Sequence, residues 1–168
     1  MLIKDLKELV EERLHKMMQT NPLRIDYYER YREIIDEYNA EQIKATIEKT
    51  FIDLMAMTKD LDEEAKRFVR EGFENDEELA MFDLLCKETL TPQEIQKVKA
   101  LSKTLLAIVK AKIAELDHWT EKPETLDIVE LEIRDVLYRE LPTGYADADI
   151  AAYRRIVFEH IRRTYPAA

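Results

Sequence analysis

Glycine is nearly missing from this chain of 168 residues, occurring only at positions 72 and 144. A phosphate-cradling loop of the form Gly-x-x-x-x-Gly-Lys-Ser/Thr cannot be assembled from Gly72 and Gly144, so ATP hydrolysis at such a loop is excluded. The one cysteine, Cys86, rules out an internal disulfide and a zinc site built from cysteines. Its apolar setting, "LAMFDLLCK", reads as a small core residue in a reducing cytoplasm. Ser102 is the only serine, beside Lys103 in a helical stretch with no histidine near it in sequence to activate it, so it reads as structural. Long apolar runs are lacking too, and the amphipathic start "MLIKDLKELVEERL" mixes acids into its pattern, unlike a secretory signal. The expectation is a soluble, cytoplasmic protein with no membrane segment. Positive charge is in deficit, 26 Lys and Arg against 36 Asp and Glu for a net charge of −10. That balance argues against a domain whose main work is gripping phosphate, and leaves room for a local basic face.

What remains is helix-forming: Ala, Leu, Glu, Lys, Ile and Arg, punctuated by five prolines. Apolar spacing at Leu6, Leu9, Val10, Leu14 and Met17 predicts a helix over 2–18, stopped ahead of Pro22. Asp26 with Glu29 has capping-box spacing for a second helix through Tyr38. Asn39 is read as the cap of a third with Ile43, Ile47, Phe51, Leu54 and Met55 inward. A shorter helix with Leu61, Ala65, Phe68 and Val69 should end at Gly72. Asn75 and Glu78 open a fifth, and Thr91-Pro92-Gln93-Glu94 opens a sixth running to about Asp117. The seventh is read over 124–141, stopped by Pro142 and Gly144, and the last starts at Asp147 and ends near Tyr165-Pro166. With no Gly/Ser linker, the reading is all-α, an irregular bundle of about eight helices in a single domain.

The stretch "NPLRIDYYERYREIIDEYN" holds four of the eight tyrosines. At 100° per residue, Tyr27, Tyr31, Ile34, Ile35 and Tyr38 share an arc of roughly 120°, with Tyr28 at its edge. Rings that continue an aliphatic stripe belong to a core, whereas a base-stacking platform sets exposed aromatics beside basic residues.

The same stretch resembles the C-terminal helical region of the R (motor and endonuclease) subunit of type I restriction enzymes. The resemblance continues through "TFIDLMAMTKDLDEEAKRFVREGFENDEELAMFDLL", "ELDHWTEKPETLDIVELEIRDVLYRELP" and "IVFEHIRRTYP", several blocks in the right order over nearly the whole chain. It implies a parent that translocates DNA with ATP and Mg²⁺ and then cleaves it, using nuclease and motor domains upstream whose residues have no counterpart here. For this chain it implies a non-catalytic assembly role, docking the parent onto methyltransferase and specificity subunits, with DNA met through the complete enzyme. No catalytic, cofactor or metal position is carried over.

Other patterns compete with that reading. Glu12-Arg13-Leu14-His15 and Glu115-Leu116-Asp117-His118 both read Glu-x-x-His, the spacing of di-iron ligands in ferritin-like bundles. Such ligands must point into the bundle, yet Glu12 and His15 fall opposite the apolar stripe of the first helix. They read as surface residues. From Asp60 to Glu78 nine acids face three bases, Lys66, Arg67 and Arg70, which reads as a solvated face.

Two basic features are candidates for an acidic partner or a DNA backbone: Lys99, Lys103 and Lys110 along one helix side, and Arg154, Arg155, Arg162 and Arg163, with His160, on the last helix; the plainer reading is solubilising charge balanced by neighbours such as Glu159. The seventh helix is apolar on two sides, Leu126, Val129, Ile133, Val136 and Leu137 on one, Ile128, Leu131 and Tyr138 on the other. Such a helix is central in its domain or covered by something else; central burial is the expectation, and an uncovered stripe would be a docking surface. Trp119 reads as a core anchor. Beside the restriction-subunit reading stand an unrelated helical adaptor and, more remotely, a di-iron enzyme.

Overall fold

The computed structural model describes residues 2–166 and is all-α, with eight helices and no strand among them. The sequence, lacking a flexible linker, reads as one domain; its packing gathers into two compact units, Met1–Asp76 and Glu77–Ala168.

In the first unit, α1 (Ile3–Thr20) leads through a 3₁₀ turn, Pro22–Arg24, into α2 (Ile25–Ala40), α3 (Lys44–Ala65) and the single turn α4 (Arg67–Arg70). Both α1 and α2 pack on α3. Leu6, Val10 and Leu14 of α1, Tyr31, Ile34 and Ile35 of α2, and Leu54, Met57 and Leu61 of α3 form one core, with Ile3, Met17 and Tyr27 against its edge. The tyrosine stripe therefore points where its spacing says. Tyr31 is buried, Tyr27 and Tyr38 are half-buried, and Tyr28 is exposed.

The entry into α2 differs from the Asp26 cap expected. Asn21 turns the chain instead: its Oδ1 accepts from the Leu23 N–H at 3.2 Å, and the 3₁₀ turn runs straight into the helix, so Asp26 is already helical. Asn39 likewise lies inside α2, and α3 starts at Lys44 without a side-chain cap. The chain leaves α4 through Gly72 as its composition predicts. With φ at +84°, its N–H reaches the Val69 carbonyl at 3.1 Å while Phe73 N–H reaches Phe68 at 2.9 Å, the paired closure of a helix C-terminus that a left-handed residue permits.

The inward face of α3 is the larger correction. Thr50, Leu54, Met57, Leu61 and Glu64 are buried, whereas Ile43, Ile47, Phe51 and Met55, expected inside, are exposed. The buried line carries two polar residues, each satisfied. Thr50 Oγ1 donates to the Thr46 carbonyl at 2.8 Å, and Glu64 is held by arginines. An apolar-spacing argument passes over such a line in favour of the more uniformly hydrophobic one beside it.

The second unit takes in α5 (Asp76–Leu85) from its second residue on, α6 (Pro92–Ala114), a 3₁₀ turn at Trp119–Glu121, α7 (Pro123–Glu140) and α8 (Asp147–Thr164), with α7 packed on both α6 and α8. The start of α6 is the capping box its sequence announces. Thr91 Oγ1 accepts from Glu94 N–H at 3.2 Å, and Glu94 Oε1 accepts from Thr91 N–H at 3.1 Å. The helix closes three residues before Asp117, where Glu115 and Leu116 tighten to 3₁₀-type bonds on Lys112 and Ile113. His118 then takes a left-handed backbone, φ 48°, and the chain turns to bury Trp119 completely. Trp119 donates its indole N–H to the Tyr165 carbonyl at 2.8 Å and meets the Phe158 ring edge-on, 6.3 Å between centroids.

Candidate docking surfaces

The exposed residues of α3 make an apolar surface on the first unit. Ile43, Ile47, Phe51 and Met55 recur every fourth residue and so lie one above the other along the helix, with Ile52 beside them. Next to this row, Leu2, Ile3 and Tyr38 meet Ile47, Phe51 and Ile52 around a groove of about 690 Å³, whose charged groups are Lys4 and Glu48. A smaller groove of about 470 Å³ in the same unit is lined by Leu14, His15, Met18, Tyr28 and Tyr31, and there the Tyr31 hydroxyl donates to Glu11 at 2.6 Å. Burial and that bond to a carboxylate together push the Tyr31 hydroxyl well above the ordinary phenol range, so it stays a proton donor.

At the other end of these helices from the larger groove lies a charged cluster that sequence reasoning missed. Arg24 is 2% exposed; its Nε meets Glu64 at 3.0 Å, and its two terminal nitrogens fork onto Asp76 at 2.6 and 2.7 Å. Arg67 closes the other side of Glu64 at 3.0 Å. Burial alone would raise the Glu64 pKa, but the two guanidiniums outweigh it and hold the carboxyl below its usual range. Glu64 and Asp76 belong to the acidic run read as a solvated face; at Glu64 that reading fails, because a buried arginine 40 positions earlier claims it. No short-range pattern marks Arg24, which sits in sequence like any surface arginine.

In the second unit α7 is not central. Val129, Ile133, Val136 and Leu137 are buried, but Ile128, Leu131 and Tyr138 are 41%, 43% and 51% exposed. The expectation of burial on both sides is corrected to the alternative, an uncovered apolar stripe, because α6, α8 and the 3₁₀ turn at Trp119–Glu121 pack on α7 and leave these three residues exposed. Cys86 is half-buried just past α5, and Ser102 is fully buried with its hydroxyl donating to the Val98 carbonyl at 2.7 Å, a helix-internal bond.

The basic candidates do not form one open patch. Lys99 is half-buried with its ammonium 5.6 Å from the centre of the Phe82 ring, Lys103 is half-buried, and Lys110 pairs with Glu77 and lies 5.1 Å over the Tyr165 ring. On α8, Arg154 is held by Glu130 at 2.9 Å and Arg162 lies 3.9 Å from Glu159, while Arg155 and Arg163 are exposed. His160 is not on that face at all. It is 2% exposed, and burial, with Arg163 nearby, lowers its pKa to about 4.

The two Glu-x-x-His pairs point outward: Glu12, His15, Glu115 and His118 are all exposed, and His118 is near Asp117 and Glu121 rather than a second histidine. Among the described residues no three His, Cys, Asp or Glu side chains converge as metal ligands would, and no helix is long and apolar enough to cross a membrane.

A search of curated proteins and of solved structures gave no match to the chain. Family comparison did: the model for the C-terminal region of type I restriction enzyme HindI endonuclease subunit-like proteins matches residues 1–166, and the chain belongs to that family.

Proposed function

We propose that this chain is a non-catalytic assembly domain of a type I restriction enzyme R subunit, docking the ATP-driven translocase and endonuclease onto the methyltransferase and specificity subunits. The observation that carries this reading is the apolar row of α3 with its adjoining groove. Scattered apolar residues are normal on any surface, but a contiguous row of large ones beside a groove, on a unit whose own core is already filled, is the property of a partner site. Its few charges, Lys4 and Glu48, fit the depletion of charge at the centre of protein interfaces. The buried cluster around Arg24 suits a support rather than a reaction centre, since each carboxylate in it is engaged by a guanidinium. In this reading ATP and Mg²⁺ serve other parts of the R subunit.

The direct test is co-elution of the 168-residue chain with a purified methyltransferase–specificity core at micromolar concentration. A stable complex is expected, and its absence counts against the proposal. DNA contact belongs at most to a weak, salt-sensitive contribution from Lys99, Lys103, Lys110, Arg154, Arg155, Arg162 and Arg163. Reversing the charge of the four arginines should abolish any mobility shift; an unchanged shift refutes that route.

A further inference from the structure

The uncovered stripe of α7 has a charge pattern that selects one kind of partner. Ile128, Leu131 and Tyr138 follow the spacing of the seam of a two-stranded coil, with Asp135 in the remaining seam position. Asp127 and Arg134 flank the seam on one side, Glu132 and Arg139 on the other. Two copies of this helix laid parallel would bring Asp127 against Glu132 and Arg134 against Arg139, like charges at every flanking position. Laid antiparallel, each flank faces its own counterpart, so Asp127 meets Arg134 and Glu132 meets Arg139, opposite charges at every flanking position. The same alignment sets Ile128 against Tyr138.

We propose that α7 is a self-association surface, on which two copies of this chain pair antiparallel through Ile128, Leu131 and Tyr138. The pairing obeys two-fold symmetry, the commonest closed arrangement, in which each contact is made twice. Among the described residues, Arg134 and Arg139 are engaged by their solvent-exposed sequence neighbours, Asp135 at 3.1 Å and Glu140 at 3.2 Å, interactions that are easily exchanged. One helix pair buries less than the roughly 1,200 Å² of a stable complex, so the dimer is transient and concentration-dependent. Asp135, facing Leu131 of the second copy, weakens it further and keeps the association reversible. This inference uses α7 alone and does not rest on docking to a methyltransferase core.

Sedimentation equilibrium of the full chain up to about 1 mM, at low salt, tests it. A reversible monomer–dimer equilibrium is expected. Asp127→Arg with Glu132→Arg makes all four flanking positions basic and should weaken the dimer about tenfold or more. Adding Arg134→Glu and Arg139→Glu restores the complementarity in mirror image and should restore the dimer, while Asp135→Leu should tighten it. Circular dichroism confirms that each variant is folded. A chain that stays monomeric throughout, a dimer indifferent to the two acid reversals, or a folded fourfold variant that fails to re-associate would each overturn the proposal.

Discussion

Arg24 and Glu64, 40 residues apart, meet at 3.0 Å with both side chains almost wholly removed from water. The pair fixes the 3₁₀ turn before α2 to the end of α3, and the arginine also donates to the Met17 carbonyl at the end of α1 at 3.3 Å. The three long helices of the first unit are thus tied at one end by a single guanidinium.

Removing one partner should be costly for that reason. Arg24→Met leaves buried Glu64 with Arg67 as its one guanidinium, beside the Tyr27 hydroxyl at 3.5 Å, and should lower the stability of the chain by about 3 kcal/mol or more in urea unfolding, whereas changing Arg24 and Glu64 together to Met and Leu should cost clearly less. A double-mutant cycle on these two positions reads the difference.

His160 makes stability depend on pH. Its folded pKa, about 4, lies below the 6.5 of an exposed histidine, so the unfolded chain takes up the proton first as the solution is acidified. The stability from keeping His160 neutral is full above pH 6.5 and is lost as pH falls toward 4. Between pH 7.5 and pH 5 the loss should be about 2 kcal/mol, and a folded His160→Gln variant should show a flatter profile over that window.

Tyr31 tests the direction of the tyrosine stripe. Tyr31→Ala should destabilise by about 3 kcal/mol or more, as for a buried aromatic ring. Tyr31→Phe removes only the bond to Glu11 and should cost about 1 kcal/mol.

Gly72 isolates a backbone effect. A methyl group there would meet nothing within 4 Å, so the cost of Gly72→Ala comes from the left-handed φ alone and should be about 1 kcal/mol in thermal or urea unfolding. Asparagine, which tolerates that conformation better, should cost less.

Much of the fold is legible locally because the signals are local. Thr91 with Glu94, Gly72, and the spacing of Tyr27, Tyr31, Ile34 and Ile35 each carry their meaning within a few residues, and each appears where the chain puts it. The inward face of α3 is not legible that way. Thr50 and Glu64 enter a core only because Thr46 and two arginines satisfy them, and one of those arginines comes from 40 residues away.

The candidate surfaces show the same limit. Two-sided apolarity in α7 is visible in sequence, and a single apolar face is visible in α3, but which side is covered depends on how many neighbours each helix has. For α3 the less polar side faces water; for α7 the stripe of Ile128, Leu131 and Tyr138 does. Of the basic residues of α6 and α8, Lys110, Arg154 and Arg162 lie beside Glu77, Glu130 and Glu159; the local sequence offers Glu159 as such a neighbour, whereas Glu77 and Glu130 come from distant positions.

The docking claim is tested most directly by calorimetric titration of this chain into the methyltransferase–specificity core at several temperatures. Burial of the α3 row should give a measurable affinity with a negative heat-capacity change. Ile47→Asp with Phe51→Asp, at two exposed positions, should leave the chain folded and abolish the heat of binding. Binding of unchanged strength by that double variant, or no heat from the unaltered chain at any temperature, would contradict the account.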